Sequence, residues 1–311
     1  MQETVSSPEL WQQPLTFDEN VAVRNVLLPT DFSEFSGRAL DFAAGIARRY
    51  EAQLHLFHCV DPTPFELADA AEQVQTACED ARRDLERLAE GLGKNRAATS
   101  LRANVAVTRG NLTAILPQTV RDLDVDLIVV GTHGRAGWKK LVLGSMAEAV
   151  IDQSPCPVLT VGPSTNRRRI QESGPSQILL AAAGSNRSQL ASSYACSLAC
   201  KYRSRLSVVD VLEDRAGRVL AGVSQFEWHE VAGTSDRPRT VALRLPPQIG
   251  TRSDLILRVS DETRADLIVL AVPADHRFTD RFLSTDSYRI VSDAACPVLT
   301  FHGGADRGPG Q

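Results

Sequence analysis

The feature that most constrains this chain is an internal repeat with a constant offset of 140 residues. The run DLIVV at Asp126–Val130 recurs as DLIVL at Asp266–Leu270, and CPVLT at Cys156–Thr160 recurs unchanged at Cys296–Thr300. Two matches at one offset indicate a duplicated domain. At 311 residues, the chain is long enough for two domains that each bury a core. We therefore predict two tandem domains with the same fold.

Strand and helix patterns alternate in the first domain. The helix pattern is clearest between Ala71 and Leu92, where apolar residues recur in steps of three and four. Short apolar runs bounded by glycine, proline or polar residues predict the strands, which are Val26–Leu28, Gln53–Val60, Leu101–Val107, Leu127–Val130 and Cys156–Val161. This alternation requires a mostly parallel sheet, because parallel strands are joined by right-handed crossovers. The predicted fold class is α/β with helices on both faces.

A glycine-rich loop follows the fourth strand of the first domain. It contains Gly131 and Gly134, then nine residues, and then Gly144-Ser145. Glu148 lies three residues after Ser145, which is the capping-box pattern and predicts Ser145 as a helix N-cap. A strand that leads through glycines into a capped helix directs several backbone N–H groups to one place and favours phosphate binding there. For the glycines alone, a plain strand-to-helix turn remains the alternative.

The common phosphate-binding motifs are absent, since the chain has neither G-x-x-x-x-G-K-[ST] nor G-x-G-x-x-G at this loop. The whole arrangement is more specific: G-x-x-G, nine residues, Gly-Ser, a helix and a last strand. It resembles the universal stress protein family, in its ATP-binding branch, and the resemblance covers nearly all of residues 24–303. It implies two tandem open parallel sheets, Rossmann-like, each with strand order 3-2-1-4-5. Ligands of such sheets bind beyond the carboxyl ends of the strands where the order reverses, here between strands one and four.

The resemblance also implies a nucleotide site in the first domain. Asp31 can accept hydrogen bonds from ribose hydroxyls or an adenine amine, and Val60 can offer backbone groups to the base. Glycines allow close approach of the ligand, and Gly-Ser supplies N–H groups and a hydroxyl to the phosphates. The implied site residues are Thr30, Asp31, Val60, Gly131, Thr132, His133, Gly134, Gly144, Ser145 and Met146.

Other residues of the loop leave alternatives open. Arg135, Lys139 and Lys140 either add positive charge to the site or are simply solvated. Many family members carry a second hydroxyl residue two positions after the Gly-Ser, where this chain has Ala147. One phosphate or metal contact of the family is therefore in doubt.

The second copy keeps the strand pattern and loses the implied site. Ala183 stands where the first copy has Asp31, and Asp280 and Asp286 introduce negative charge that would repel a triphosphate. At the offset of 140, the four loop residues Gly131, Gly134, Gly144 and Ser145 become Ala271, Ala274, Ser284 and Thr285. Residues 213–239 show little helical periodicity, so no long amphipathic helix is expected there. We predict a degenerate domain with a structural or regulatory role.

The predicted organisation has five segments: an N-terminal extension (1–23), the first domain (24–164), a linker (165–175), the second domain (176–304) and a tail (305–311). Both copies end in nearly the same strand, at Pro157–Val161 and Pro297–Phe301. Like edge strands can satisfy each other's backbone groups, so we expect them to pair antiparallel and form an intramolecular pseudo-dimer. A homodimer of two chains is possible but not required.

Composition and motif content exclude several function classes. The net charge of −4 gives no electrostatic footprint for nucleic acid or an anionic membrane. No apolar run approaches the roughly 20 residues that cross a bilayer, and no secretory signal is visible, so we expect a cytoplasmic protein. The six cysteines form no C-x-x-C, and the six histidines form no HExxH. We predict no catalytic residues and no protein-bound metal site.

The sequence thus predicts an ATP-binding universal stress protein with one site, in the first domain. ATP, with or without Mg²⁺, would make the chain a nucleotide-dependent stress-response or regulatory module for an unidentified protein partner. An enzyme is the less favoured class, because strand four ends in Val130-Gly131 without a metal-holding carboxylate. The alternatives are a slow ATPase or nucleotidyl-transfer enzyme, and a ligand-free structural dimerisation protein.

Overall fold

A computed structural model describes residues 21–63, 70–94, 101–132, 143–165, 174–182, 186–213, 219–228, 238–243, 251–271 and 286–301. Its strands are β1 (Asn25–Pro29), β2 (Gln53–Val60), β3 (Ala103–Arg109), β4 (Leu127–Gly131), β5 (Val158–Val161), β6 (Gln177–Ala182), β7 (Arg205–Glu213), β8 (Val219–Trp228), β9 (Pro238–Leu243), β10 (Leu267–Ala271) and β11 (Val298–Phe301). Its helices are α1 (Glu34–Tyr50), α2 (Ala70–Lys94), α3 (Leu112–Asp122), α4 (Ser145–Gln153), α5 (Asn186–Tyr202), α6 (Arg252–Thr263) and α7 (Asp286–Asp293).

These strands form one continuous sheet in the order β3-β2-β1-β4-β5-β11-β10-β6-β7-β8-β9. In the first half the neighbouring strands are parallel throughout, which confirms the predicted order 3-2-1-4-5. The order reverses between β1 and β4, so the predicted switch point is present. Every residue of β4 is buried, as expected for a strand covered by helices on both faces.

Two apolar clusters cover the two faces of the sheet, and each runs through both halves of the chain. One joins the sheet to α1, α2 and α5, with Ala43 and Ala195 among its fully buried members. The other joins it to α3, α4, α6 and α7, with Leu116 and Leu255 fully buried. The predicted α/β fold with helices on both faces is confirmed. None of the helices in the described ranges is long and apolar enough to span a membrane.

The second half keeps the parallel arrangement β7-β6-β10-β11 and adds a different outer edge. The strand β8 pairs antiparallel with β7, and β9 pairs antiparallel with β8. The strand β8 lies inside the segment 213–239, in which the sequence predicted no long helix from its lack of helical periodicity. Only residues 214–218 separate β7 from β8, which is too short a connection for a parallel crossover and suits an antiparallel partner.

The two halves meet where β5 pairs antiparallel with β11, which confirms the strand contact predicted from the repeated edge sequence. Leu159 lies opposite Leu299 at the centre of this pairing. Since the strand order on one side of the pair mirrors that on the other, an approximate two-fold axis relates β1-β4-β5 to β6-β10-β11.

The aspartate that opens each repeat has a structural role in both halves. Asp126 Oδ2 accepts hydrogen bonds from the backbone N–H groups of Arg24 (2.7 Å) and Asn25 (2.9 Å). Asp266 Oδ2 likewise accepts from the N–H groups of Ser176 (3.0 Å) and Gln177 (3.1 Å). Each carboxylate ties the start of the first strand to the start of the fourth and stabilises the sheet around the switch point.

Candidate functional site

The candidate site lies at the carboxyl ends of β1 and β4, where the strand order reverses. The strand β1 leads into α1 on one face of the sheet, and β4 leads through residues 132–144 into α4 on the other. The positive N-terminal ends of both helices therefore flank one crevice. This is where open parallel sheets bind their ligands.

The N-terminus of α4 differs from the sequence prediction. Ser145 is the first helical residue, and the N-cap is Gly144, with φ −65° and ψ 144°. The prediction of Ser145 as N-cap was wrong, because Ser145 is already part of the helix and Gly144 is the extended residue that precedes it. The Gly144 carbonyl accepts the first helical bond, from Glu148 N–H at 2.9 Å. Glycine has no side chain with which to cap the helix. Within the part of the chain that the structure describes, no side chain caps the start of α4, and such a helix N-terminus favours an anion.

The loop between β4 and α4 is closed at its base by backbone hydrogen bonds. Thr132 is fully buried, and its N–H donates to Val161 O at 3.1 Å. The carbonyl of Thr132 accepts from Gly144 N–H at 2.6 Å. These bonds bring the exit of β4 directly against the start of α4. Two of the implied site residues, Thr132 and Gly144, are thus in contact.

Gly131 ends β4, and its missing side chain has a structural reason. A Cβ at this position would lie 2.7 Å from Phe35 O and 3.1 Å from Ser36 N, both in the first turn of α1. The first distance is shorter than real Cβ contacts, and the second is tighter than most of them. The close approach that Gly131 permits is therefore that of the α1 backbone, which brings the N-terminus of α1 onto the carboxyl end of β4.

Thr30 lies in the interior of the turn between β1 and α1. It is 2% exposed, and its Oγ1 donates to Ser36 Oγ at 2.9 Å and accepts from Phe32 N–H at 3.0 Å. Phe32 adopts a left-handed conformation with φ 61°. The hydroxyl of Thr30 thus fixes the turn, and the next residue, Asp31, is half-buried just after the end of β1.

Asp31 provides the negative charge of the site. Its Oδ1 accepts a hydrogen bond from Ser33 N–H at 3.0 Å. Burial raises the pKa of the Asp31 carboxyl, but hydrogen bonds from Ser33 and Ser36 outweigh this effect and hold that pKa below its ordinary value. The carboxylate is therefore charged at neutral pH and only accepts hydrogen bonds, which suits donors such as sugar hydroxyls or an amine.

Val60 and Met146 lie at the margins of the crevice. Val60 is buried at the end of β2, and its carbonyl already accepts from Gly110 N–H at 3.0 Å. Met146 is half-buried in the first turn of α4 and packs against the apolar cluster beneath that helix. Val60 thus ends β2, and Met146 is the second residue of α4.

Sequence reasoning missed two side chains at this edge. His58, near the end of β2, has its Nδ1 2.7 Å from Thr30 O and its ring 4.7 Å from the ring of Phe32. Tyr288, from α7 of the second half, accepts a hydrogen bond at its hydroxyl from Leu143 N–H at 2.7 Å. No sequence pattern joins Leu143 to Tyr288, because the two residues lie in different halves of the chain.

Several predicted residues lie outside the described ranges. In the first copy these are His133, Gly134, Arg135, Lys139 and Lys140, and in the second copy Ala183, Ala274, Asp280, Ser284 and Thr285. Asp286 is described: its Oδ1 accepts from Ser253 Oγ at 2.8 Å and from Ser253 N–H at 3.2 Å. Within the described ranges, no group of three or more His, Cys, Asp or Glu residues could hold a metal ion.

The family profile and the similar proteins of known family all identify the same family for this chain. The sequence profile of the "Universal stress protein family" matches residues 22–162 and 175–302. A universal stress protein of Methanocaldococcus jannaschii is 28% identical over 145 residues, which are 44% of this chain and 81% of that protein. Another, from Thermus aquaticus, is 30% identical over 139 residues, 44% of this chain and 98% of that protein.

One similar solved structure spans both halves of the chain. It is a universal stress protein from Archaeoglobus fulgidus, with 19% sequence identity and a TM-score of 0.66. The superposition covers 89% of this chain and 98% of that one. At this identity the likeness bears on the fold, and it supports the tandem arrangement in a single chain.

Proposed function

The chain belongs to the universal stress protein family, and we propose that it is a nucleotide-dependent regulatory module that binds one ATP, in the first domain. The stress-response role follows from the family alone. ATP, with or without Mg²⁺, would occupy the crevice between the carboxyl ends of β1 and β4, and an unidentified protein would respond to the occupied form.

The observation that carries this proposal is the N-terminus of α4. Its N-cap is a glycine without a side-chain cap, and it is held by Thr132 against the exit of β4. Unsatisfied N–H groups and the helix dipole favour a phosphate at this position. Asp31 supplies an acceptor for the ribose or adenine at the adjacent exit of β1. A nucleotide has an anionic phosphate end, which suits the start of α4, and a nucleoside end with hydrogen-bond donors, which suits Asp31.

The second domain would lack a site of its own. Its strand β10 ends in Ala271 at the position of Gly131, and Asp286 is the first residue of α7, where the first copy has Met146 in α4. A carboxylate at the start of that helix supplies the negative charge that a phosphate would otherwise bring. The proposed stoichiometry is therefore one nucleotide per chain.

Isothermal titration calorimetry of the full chain tests the proposal, together with mass analysis of the protein as purified. We expect a stoichiometry near one for ATP, and weaker binding after Asp31→Ala. Gly144→Val crowds the first turn of α4 and should abolish binding while the circular dichroism spectrum stays unchanged. Two equivalent sites, or undiminished affinity in the Gly144→Val protein, would overturn the proposed site.

The same samples separate the alternative classes. Turnover of ATP well above the rate in buffer, abolished by Asp31→Ala, would favour an ATPase or transferase. Absence of nucleotide both in the purified protein and in titration would favour a ligand-free structural protein, whose continuous sheet joins two domains.

A further inference from the structure

We propose that Tyr288, in the second domain, is a positioning residue for the nucleotide site of the first domain. The proposal rests on the nucleotide binding proposed above and assigns a task to the second domain. On this view the second domain completes the site of the first, and the two domains must stay docked for residues 143 and 144, at the start of α4, to be held in place.

The contact that carries the inference joins the two domains at the end of the glycine-rich loop. The hydroxyl of Tyr288, in the first turn of α7, accepts from Leu143 N–H at 2.7 Å. Leu143 is only 2% exposed. The next amide, Gly144 N–H, donates to Thr132 O at 2.6 Å. Two consecutive amides are thus fixed, one by each domain, immediately before the first turn of α4.

This pair of bonds determines where α4 begins. Gly144 is the N-cap, so the direction of the N–H groups in the first turn of α4 depends on how residues 143 and 144 are held. A buried amide that loses its acceptor is costly, and the backbone shifts to satisfy it elsewhere. Removal of the Tyr288 hydroxyl should therefore loosen the phosphate-binding end of the site and leave the Asp31 end unaffected.

The second domain holds Tyr288 firmly enough for this task. The ring packs against the same apolar cluster that contains Leu143 and Ala147. The helix that carries it is tied to α6 by the hydrogen bonds from Ser253 to Asp286 and by the ion pair between Arg289 and Asp254 at 2.6 Å. Tyr288 is thus supported by the helix pair α6 and α7 of its own domain.

The arrangement is not reciprocal in sequence. At the repeat offset of 140, the position of Tyr288 is taken by Glu148 in the first domain, so the phenol occurs in the second copy alone. The second domain, which has lost the glycines, supplies the Tyr288 hydroxyl. The first domain, which retains them, donates the Leu143 N–H to it. This explains why a domain without its own site would be retained beside one that has it.

Tyr288→Phe in the full chain tests the proposal, because it removes the hydroxyl and retains the ring. Tyr202→Phe is the matched control, since Tyr202 also belongs to the second domain but lies at the end of α5 on the opposite face of the sheet. Three quantities are measured: the thermal unfolding midpoint, hydrogen exchange of the Leu143 amide in the ligand-free protein, and the dissociation constants of ATP and adenosine.

Tyr288→Phe should lower the unfolding midpoint by a few degrees at most, and it should speed exchange at Leu143 about 3- to 10-fold, the range expected for one lost hydrogen bond. The dissociation constant of ATP should rise by a similar factor while that of adenosine stays within about twofold, because only the phosphate end is loosened. Tyr202→Phe should change none of these.

Unchanged exchange at Leu143, or equal weakening of ATP and adenosine, would overturn the proposal, since a general structural role affects both ligands alike. If the unaltered protein binds no ATP, the nucleotide assignment fails. Faster exchange in Tyr288→Phe would even then establish that the second domain anchors this loop.

Discussion

Thr160 and Thr300 make reciprocal hydrogen bonds across the junction of the two halves. Thr160 Oγ1 donates to Val298 O at 3.0 Å, and Thr300 Oγ1 donates to Val158 O at 3.2 Å. Thr160 and Thr300 are equivalent positions of the repeat, as are Val158 and Val298, so each bond is the counterpart of the other. The duplicated CPVLT sequence thus contains both strands of its own interface and the hydroxyls that join them.

Thr160→Val and Thr300→Val should each destabilise the chain by about 1 kcal/mol, the usual net value of one hydrogen bond. Because the two bonds are related by the approximate symmetry, the two losses should be nearly equal. Urea unfolding measures both variants. Thr108→Val, in β3 away from the junction, is the control and should change stability less. Clearly unequal losses for the two junction variants would contradict the symmetric interface.

Gly131→Ala should destabilise the fold by about 1–3 kcal/mol, because the added Cβ would meet the backbone of Phe35 and force α1 outward. Gly162→Ala is the matched control, since the nearest atom to its added Cβ is 3.7 Å away, an ordinary contact distance. Chemical unfolding of both variants gives the comparison. Equal stabilities of the two alanine variants would mean that the packing of α1 on β4 is looser than described.

Much of the first half could be predicted because local patterns decide it. The bounds of β2 match the sequence prediction, and α1 has a serine N-cap of the usual kind, with Ser33 Oγ accepting from Ser36 N–H at 3.2 Å. The pairing of β5 with β11 followed from a repeated edge sequence. These features depend on residues near one another or on an exact repeat.

The candidate site was harder to predict, because its details depend on contacts that no local pattern contains. The capping-box pattern predicted Ser145 as the N-cap of α4. In the structure Ser145 is the first helical residue, and the extended Gly144 before it is the N-cap. Gly131 was interpreted through the ligand, yet its nearest neighbour is the backbone of Phe35, which is distant in sequence. The bond from Leu143 to Tyr288 crosses between domains.

Asp31→Asn should reduce stability at neutral pH, and the loss should disappear in acid. The folded-state pKa of Asp31 is depressed below its ordinary value of 3.8, with burial opposed and outweighed by hydrogen bonds from Ser33 and Ser36. Its charge therefore contributes stability that is complete above about pH 5 and is lost as the pH falls through the folded-state pKa. Unfolding of both proteins between pH 7 and pH 3 should show converging curves, and a constant difference would refute this role.

Three buried thiols should resist alkylation in the native protein. Burial raises the pKa of Cys156, Cys196 and Cys296 to about 12, so almost no thiolate is present at pH 8. Iodoacetamide treatment followed by peptide mass analysis should modify these residues only after unfolding. Cys200 is half-buried and should react sooner. Rapid native labelling of Cys156 or Cys296 would indicate that the β5–β11 junction opens readily.

The last prediction concerns a second contact between the halves, at the ends of α1 and α5. The Arg49 guanidinium lies 5.5 Å from the ring centre of Tyr202, and Lys201 Nζ lies 5.2 Å from that of Tyr50. Arg49 also donates to Lys201 O. Each helix thus ends in a basic and an aromatic residue that meet their counterparts on the other helix, which is a reciprocal arrangement like that of the threonines.

A double-mutant cycle of Arg49→Gln with Tyr202→Leu should give a coupling energy of about 0.5–1 kcal/mol, as measured for cation–π pairs near the surface. Arg87→Gln with Tyr202→Leu is the control, because Arg87 pairs with Asp84 within α2 and its change should be additive with that of Tyr202. Urea unfolding of the unaltered protein, the single variants and the double variants gives the four free energies of unfolding that each cycle needs. Additive losses in the first cycle would show that the helix ends merely lie close together, leaving the strands β5 and β11 as the contact that holds the halves.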